Sequence, residues 1–188
     1  MTLFPVVMPV KEGKQELSGK EHSARLSLLA RKALTVSAER SQLRLGQLLK
    51  YEGGSPCPIG GIYWSLSHKP QCVAAVVSKG SVGIDVEELK PRTESMFLYL
   101  ASEEEWVLKD KSWDTFFRYW TAKEASLKVL GIGIGGLKKC RIVAVPDDHQ
   151  IALDYRGRGF LVEQLRYNNH VVSVVKNDNQ VEWVIPES

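Results

Sequence analysis

Between residues 82 and 87 apolar and polar positions alternate: Val82, Ile84 and Val86 face one way, Gly83, Asp85 and Glu87 the other. That is the period of a half-buried strand. Over residues 21–38 the period lengthens, and Leu26, Leu29, Ala30, Ala33 and Leu34 share one helical face, with Ser18 or Ser23 placed to cap it. A second apolar-periodic segment covers 43–49, followed by a breaker-rich loop over 52–61. Strands are predicted at 62–67, 71–78 and 82–86, with turns at Lys69-Pro70 and Lys79-Gly80. A charged junction (88–94, with Pro91) precedes a second helical start, where Phe97, Leu98 and Leu100 lead to a capping box at Ser102 and Glu105. The strongest helix spans 113–130 with Gly131 as its C-terminal cap, and strand signals follow at 140–145, 151–155, 160–166, 170–176 and 181–185. The first twenty residues give only a short apolar start with Pro5 and Pro9, then a polar run. Both halves run from helices to strands. The pattern predicts an α+β fold of two similar lobes, residues 1–90 and 91–188, with Asp85 and Glu87 at their seam.

Composition narrows the function classes. At 188 residues and 44% apolar the chain supports a real core. A formal net charge of +3 does not call for nucleic acid. No apolar run reaches membrane-span length, and the first residues lack a basic start followed by a long apolar core. Cys57, Cys72 and Cys140 are odd in number and widely spaced, so they read as reduced thiols of a cytoplasmic protein. The four histidines show no zinc spacing.

Candidate chemistry lies in three places. Asp85 and Glu87, two apart on a strand, point into one volume roughly 6.6 Å long. Like charges that close require a cation or a proton. The same alternation also suits an ordinary edge strand. On the 113–130 helix, three or four residues on from Trp120 fall Lys123 and Glu124, which places Glu124 on the buried stripe. A buried carboxylate left unpaired costs several kcal/mol and therefore finds a metal, a lysine or a proton. An i,i+4 pair with Lys128, worth about 0.3–0.5 kcal/mol, is the plainer reading. Three oxygen ligands with lysines nearby suit a magnesium ion holding a phosphate ester. Ser67-His68 ends a strand and reads either as surface or as a binding pair. Arg25, with Arg31 and Lys32, reads as a solvated helix face. The glycine-rich run 131–136 follows a helix instead of preceding one, so it reads as cap and linker, not as a phosphate cradle. Trp120 reads as core.

Taken in order, Trp64-Ser65-Leu66-Ser67-His68, Gly83-Ile84-Asp85-Val86-Glu87 and Phe117-Arg118-Tyr119-Trp120-Thr121-Ala122-Lys123-Glu124-Ala125, continuing through Lys128 and Gly131, resemble the 4′-phosphopantetheinyl transferases, in particular the monomeric, two-lobed Sfp-type group. The likeness covers residues 22–135; Ser55 stands where many members carry a lysine in a Gly-Lys-Pro segment. The resemblance implies a pseudo-dimer of two α/β lobes. It also implies transfer of the phosphopantetheine arm of coenzyme A to a serine of an apo acyl or peptidyl carrier protein, with release of adenosine 3′,5′-bisphosphate. By the same likeness Asp85, Glu87 and Glu124 bind magnesium, and Glu124 helps deprotonate the serine. Lys128 and Lys123 neutralise the pyrophosphate, while Ser67, His68 and Arg25 hold a phosphate of the adenosine end. Neither nucleic acid nor membrane is expected as a partner. Two other classes stay open: a metal-dependent nuclease using Asp85 with Glu88-Leu89-Lys90, and a non-catalytic module that binds coenzyme A or the carrier.

Overall fold

The alternating segments form two antiparallel sheets, each covered by one long helix. The computed structural model describes residues 1–11 and 18–186. Its elements run β1 (Thr2–Leu3), β2 (Val6–Pro9), α1 (Gly19–Arg40), β3 (Tyr63–Lys69), β4 (Cys72–Ser78), β5 (Ile84–Glu88), α2 (Ser95–Leu100), α3 (Glu103–Trp106), α4 (Trp113–Leu130), β6 (Cys140–Ala144), β7 (Gln150–Tyr155), β8 (Arg158–Tyr167), β9 (His170–Val175) and β10 (Gln180–Val181). A 3-10 turn over Ile134–Lys139 joins α4 to β6.

Helix α1 begins where Ser18 accepts from the Glu21 amide and Glu21 reaches back to the Ser18 amide at 2.9 Å. Its buried face, from Leu26 to Ala38, covers the sheet ordered β2-β4-β3. The second sheet is ordered β5-β9-β8-β7-β6 and lies under α4. The two sheets meet through a shared apolar layer. Strand β4 sends Val73, Ala75 and Val77 toward α1 and Cys72, Ala74 and Val76 toward Ile84 and Val86 of β5 and Val172 and Val174 of β9. Burial on both faces explains why β4 is a continuous apolar run. On β5 only Ile84 and Val86 enter this layer, so the Asp85–Glu87 face turns toward α4 and β3.

The predicted strands appear within one or two residues, except that the last shrinks to Gln180–Val181 plus a bridge from Val184 to Val6. The apolar start, from which no element was predicted, supplies two strands. β1 pairs in parallel with β10, β2 pairs with β4, and the Val7 amide bonds to the Val184 carbonyl at 2.9 Å. Strands of two and four residues broken by proline carry no period of their own; their partners lie far along the chain. Residues 12–17 of the polar run fall outside the described residues. The 43–49 segment is irregular, and Leu43, Leu45 and Leu48 rest against the α1 core. Strand β5 bonds along its length to β9, so the segment before the charged junction completes the sheet built from the C-terminal strands. Among the described residues no helix is long and apolar enough to cross a membrane.

Helix α4 approaches the edge of β5 at Gly83. A Cβ there would lie inside the contact radius of the Ala125 carbonyl and 3.1 Å from Val129 Cγ2. The obstacle is backbone, which cannot rotate aside. Gly83→Ala is therefore expected to lower stability by about 1–3 kcal/mol, the usual cost of overpacking. Urea denaturation checks this, and an unchanged midpoint contradicts the close packing.

Candidate active site

Asp85, Glu87 and Glu124 converge where α4 crosses β5 and the end of β3. Asp85 is 5% exposed, and its Oδ1 accepts from Ser67 Oγ at 2.8 Å and from Lys128 Nζ at 2.9 Å. Its Oδ2 is buried and has no partner among the described residues. Glu87 Oε1 meets Lys69 Nζ at 2.7 Å and Oε2 meets Arg92 Nη2 at 3.2 Å. Burial pushes the Glu87 carboxyl above its ordinary value, and the Lys69 bond opposes the shift. Glu124 Oε1 is buried and likewise has no partner among the described residues. Burial first, and the Asp85 charge second, push Glu124 up to about 7, against the pull of Lys128.

The plainer reading of Glu124 fails on geometry. Among the described residues Glu124 makes no ion pair with Lys128. Lys128 instead donates to the Leu66 carbonyl (3.3 Å), the Ile84 carbonyl (2.9 Å) and Asp85. An ammonium has three donors, and all are engaged.

Lys123 does not reach this cluster. Adjacent helix residues point about 100° apart, and Lys123 is fully buried on another face of α4. There its Nζ donates to the Leu100 carbonyl at 2.7 Å and pairs with Glu105 Oε1 at 2.7 Å. Glu105 also accepts from the Ile142 amide at 2.8 Å and the Ser102 amide at 2.9 Å, which corrects the phosphate role expected for Lys123. This pair joins α4 to α2, α3 and β6. Arg25 donates to the Lys11 carbonyl at 2.6 Å, and among the described residues no hydrogen bond or ion pair brings it to the carboxylates. Ser67 is in the cluster. His68, next on β3, points to the opposite face; burial, then the charges of Lys128 and Lys69, push its pKa down. Trp120 is only half-buried and packs against the core with Arg92 over its ring.

Beside the carboxylates opens a cavity of about 280 Å³ lined by Lys50, Ser55, Trp64, Glu124 and Lys128, and closed by the turn from Gly131 to Ile134. Gly131 caps α4 in the left-handed region (φ 66°), which favours glycine, and bends the chain over the cavity. The segment expected to be cap and linker is thus also a wall. A neighbouring cavity of about 420 Å³ shares Ser55, Trp64 and Lys128 and adds Tyr51 and Tyr63.

Among the described residues no three His, Cys, Asp or Glu side chains are gathered closely enough to hold a metal ion. The donor atoms suited to one are the two unpartnered buried oxygens, Asp85 Oδ2 and Glu124 Oε1, with Glu87 beside them behind its two cations. Lys69 and Arg92 were not found from the sequence. Lys69 lies two residues beyond Ser67 on the same strand face, a signal that was present, whereas Arg92 sits in a junction with no period at all.

Residues 81–178 match the family model of the 4′-phosphopantetheinyl transferase superfamily. The 4′-phosphopantetheinyl transferase HetI of Nostoc sp. is 34% identical over 96 residues, 47% of this chain and 40% of its own. A Haemophilus influenzae protein provisionally named a 4′-phosphopantetheinyl transferase is 32% identical over 147 residues, 73% of this chain and 62% of its own. The 4′-phosphopantetheinyl transferase AcpT of Escherichia coli is 32% identical over 97 residues, 46% of this chain and 50% of its own. The chain spans about half the length of the relatives it matches.

Glu124 gives stability a pH dependence of defined sign. Its carboxyl sits near 4.5 when unfolded and at about 7 when folded, so between those values the folded state binds more protons. Stability from this group is present below about 4.5 and is lost as pH rises through 7. Glu124→Gln removes that loss. In chelator, the melting temperature of Glu124→Gln relative to wild type should be higher at pH 8 than at pH 5. An equal difference at both pH values contradicts the burial of this carboxylate.

Proposed function

Because the chain belongs to the 4′-phosphopantetheinyl transferase superfamily, we propose that it moves the 4′-phosphopantetheine arm of coenzyme A onto a serine of an apo acyl or peptidyl carrier protein, releasing adenosine 3′,5′-bisphosphate. The observation that carries the reading is the pair of unpartnered buried oxygens, Asp85 Oδ2 on β5 and Glu124 Oε1 on α4. Two buried carboxylates without partners are costly unless something cationic completes them. Asp85, Glu124 and Glu87 would hold magnesium, which neutralises phosphate charge and favours a few carboxylates together with substrate oxygens.

The rest follows from the chain's own groups. Glu124, at about 7, is divided between acid and base at neutral pH, which suits a group that takes the serine proton. The serine oxygen bonds to the phosphorus that carries pantetheine, the bond to the adenosine-side phosphate breaks, and the proton passes to Glu124. Lys128 faces the cavity beside Glu124 and stabilises charge gathering on the leaving phosphate. Ser67 holds a phosphate of the adenosine end, with His68, on the opposite face of β3, and Arg25 as outer contacts. Lys50 lines the same cavity close to Ser55, and it supplies a positive charge where many members place the Gly-Lys-Pro lysine. Lys123 is left out of this set.

The two helix-covered sheets support a two-lobed reading as well. We read the chain as a monomeric, cytoplasmic, Sfp-type enzyme, a pseudo-dimer of two lobes, residues 1–90 and 91–188, with β5 of the first built into the sheet of the second. Three free cysteines accord with a reducing compartment. The nuclease alternative draws no support, since Asp85 and Glu88, three apart on β5, point to opposite faces.

The test is mass spectrometry of apo carrier proteins incubated with the protein, coenzyme A and magnesium. Each substrate carrier should gain one phosphopantetheine arm, and chelator should abolish the gain. Coenzyme A binding without transfer to any fatty-acid, polyketide or peptide carrier would favour the non-catalytic module instead.

A further inference from the structure

The three carboxylates are not equally open. Asp85 and Glu124 each keep one buried oxygen free, whereas both oxygens of Glu87 are covered by cations. The Glu87 side chain is 7% exposed, while Lys69 and Arg92, which cover it, are 31% and 40% exposed. The cations therefore form an outer layer between Glu87 and solvent. Arg92 has a second hold as well, its guanidinium lying 5.6 Å from the ring centroids of both Phe117 and Trp120. It can change its anionic partner and keep its place. Lys69, at the end of β3, hangs on a flexible stem with rotatable donors.

With Glu124 ionised, the formal charges of the cluster balance. Asp85, Glu87 and Glu124 stand against Lys69, Arg92 and Lys128. A divalent cation entering alone would face three cations in a partly desolvated volume and would find Glu87 blocked. A divalent cation entering with a diphosphate brings the anions that those cations need.

We propose that Lys69 and Arg92 are exchangeable counter-cations of Glu87, which close it to a free divalent cation and turn onto phosphate oxygens when metal and ligand arrive together. The protein thus takes its cation as a complex with the phosphate ligand and not before it. This inference rests on the coenzyme A reading above. It adds two binding residues to that site and an order of binding.

Manganese serves as the probe, with free ion counted by electron paramagnetic resonance. Wild type should show no saturable manganese binding alone and saturable binding once coenzyme A is added. The double variant Lys69→Gln/Arg92→Gln should reverse this, taking manganese alone because Glu87 is uncovered. Its affinity for the coenzyme A–manganese complex should fall by about ten- to a hundredfold, as expected for lost charge-assisted hydrogen bonds. Lys69→Gln alone, which leaves Arg92 on its rings, should show the same two changes in smaller measure. Wild type that binds manganese equally with and without coenzyme A overturns the proposal. So do variants that bind the complex as wild type does, while the coenzyme A reading survives. Wild type that binds no coenzyme A in either condition overturns that reading and this inference together.

Discussion

One ammonium holds the site together. Lys128 reaches from α4 to a carbonyl on β3, a carbonyl on β5 and the Asp85 carboxylate, so one strand from each sheet shares a single charge carried by the helix. Charge-assisted bonds to carboxylates are roughly twice as strong as neutral ones, and removing one member of such a set leaves the others unpaired in a poorly solvated place. The helix can come this close only because residue 83 has no side chain. Glycine on the strand and lysine on the helix therefore solve one problem: one permits the approach and the other fixes it. The positions of Asp85 and Glu124 relative to each other follow from that contact.

The remainder of α4 is anchored so that this contact keeps its register. A buried polar layer joins the helix to β8 and β9. Arg118 donates to Gln164 at 2.8 Å, Gln164 donates to Ser173 at 2.8 Å, and Ser173 donates to Thr121 at 2.7 Å. On another face, the Lys123–Glu105 pair ties the helix to α3 and β6. Directional bonds of this kind set rotation and height in a way that apolar packing alone does not. Glu124 and Lys128, one turn apart, are thereby aimed at the seam, and Lys123 is aimed away from it. The result is a cluster of three carboxylates and three cations that balances when Glu124 is ionised yet, among the described residues, retains two unpartnered oxygens.

Much of this was legible in the chain. The alternation at 82–87 and the helix with its Gly131 cap each express a period, the β4 apolar run is bounded by turns, and each formed as expected. Asp85, Glu87, Glu124, Lys128 and Ser67 come together because strand and helix periods fix which way they point. What stayed hidden depends on contacts between distant segments. The N-terminal strands exist because residues near 180 return to pair with them, and β5 belongs to the C-terminal sheet because β9 bonds to it. Lys123 illustrates the limit in a single residue. Its neighbour Glu124 was placed by counting turns, but the acid that claims Lys123 sits on a separate short helix, and no period links the two. Arg92 had no local signal, since only the folded chain brings it over Phe117 and beside Glu87.

The account turns on Glu124 acting as a charged group at the seam and not as a packed helix residue. Replacement by glutamine keeps the shape and removes the charge. The decisive measurement is turnover of Glu124→Gln with an apo carrier at saturating coenzyme A and magnesium, alongside its melting temperature. Loss of a proton acceptor in the reaction typically costs about 10²–10⁴-fold, so turnover should fall at least about a hundredfold while the protein stays folded. Turnover close to that of wild type would contradict the account.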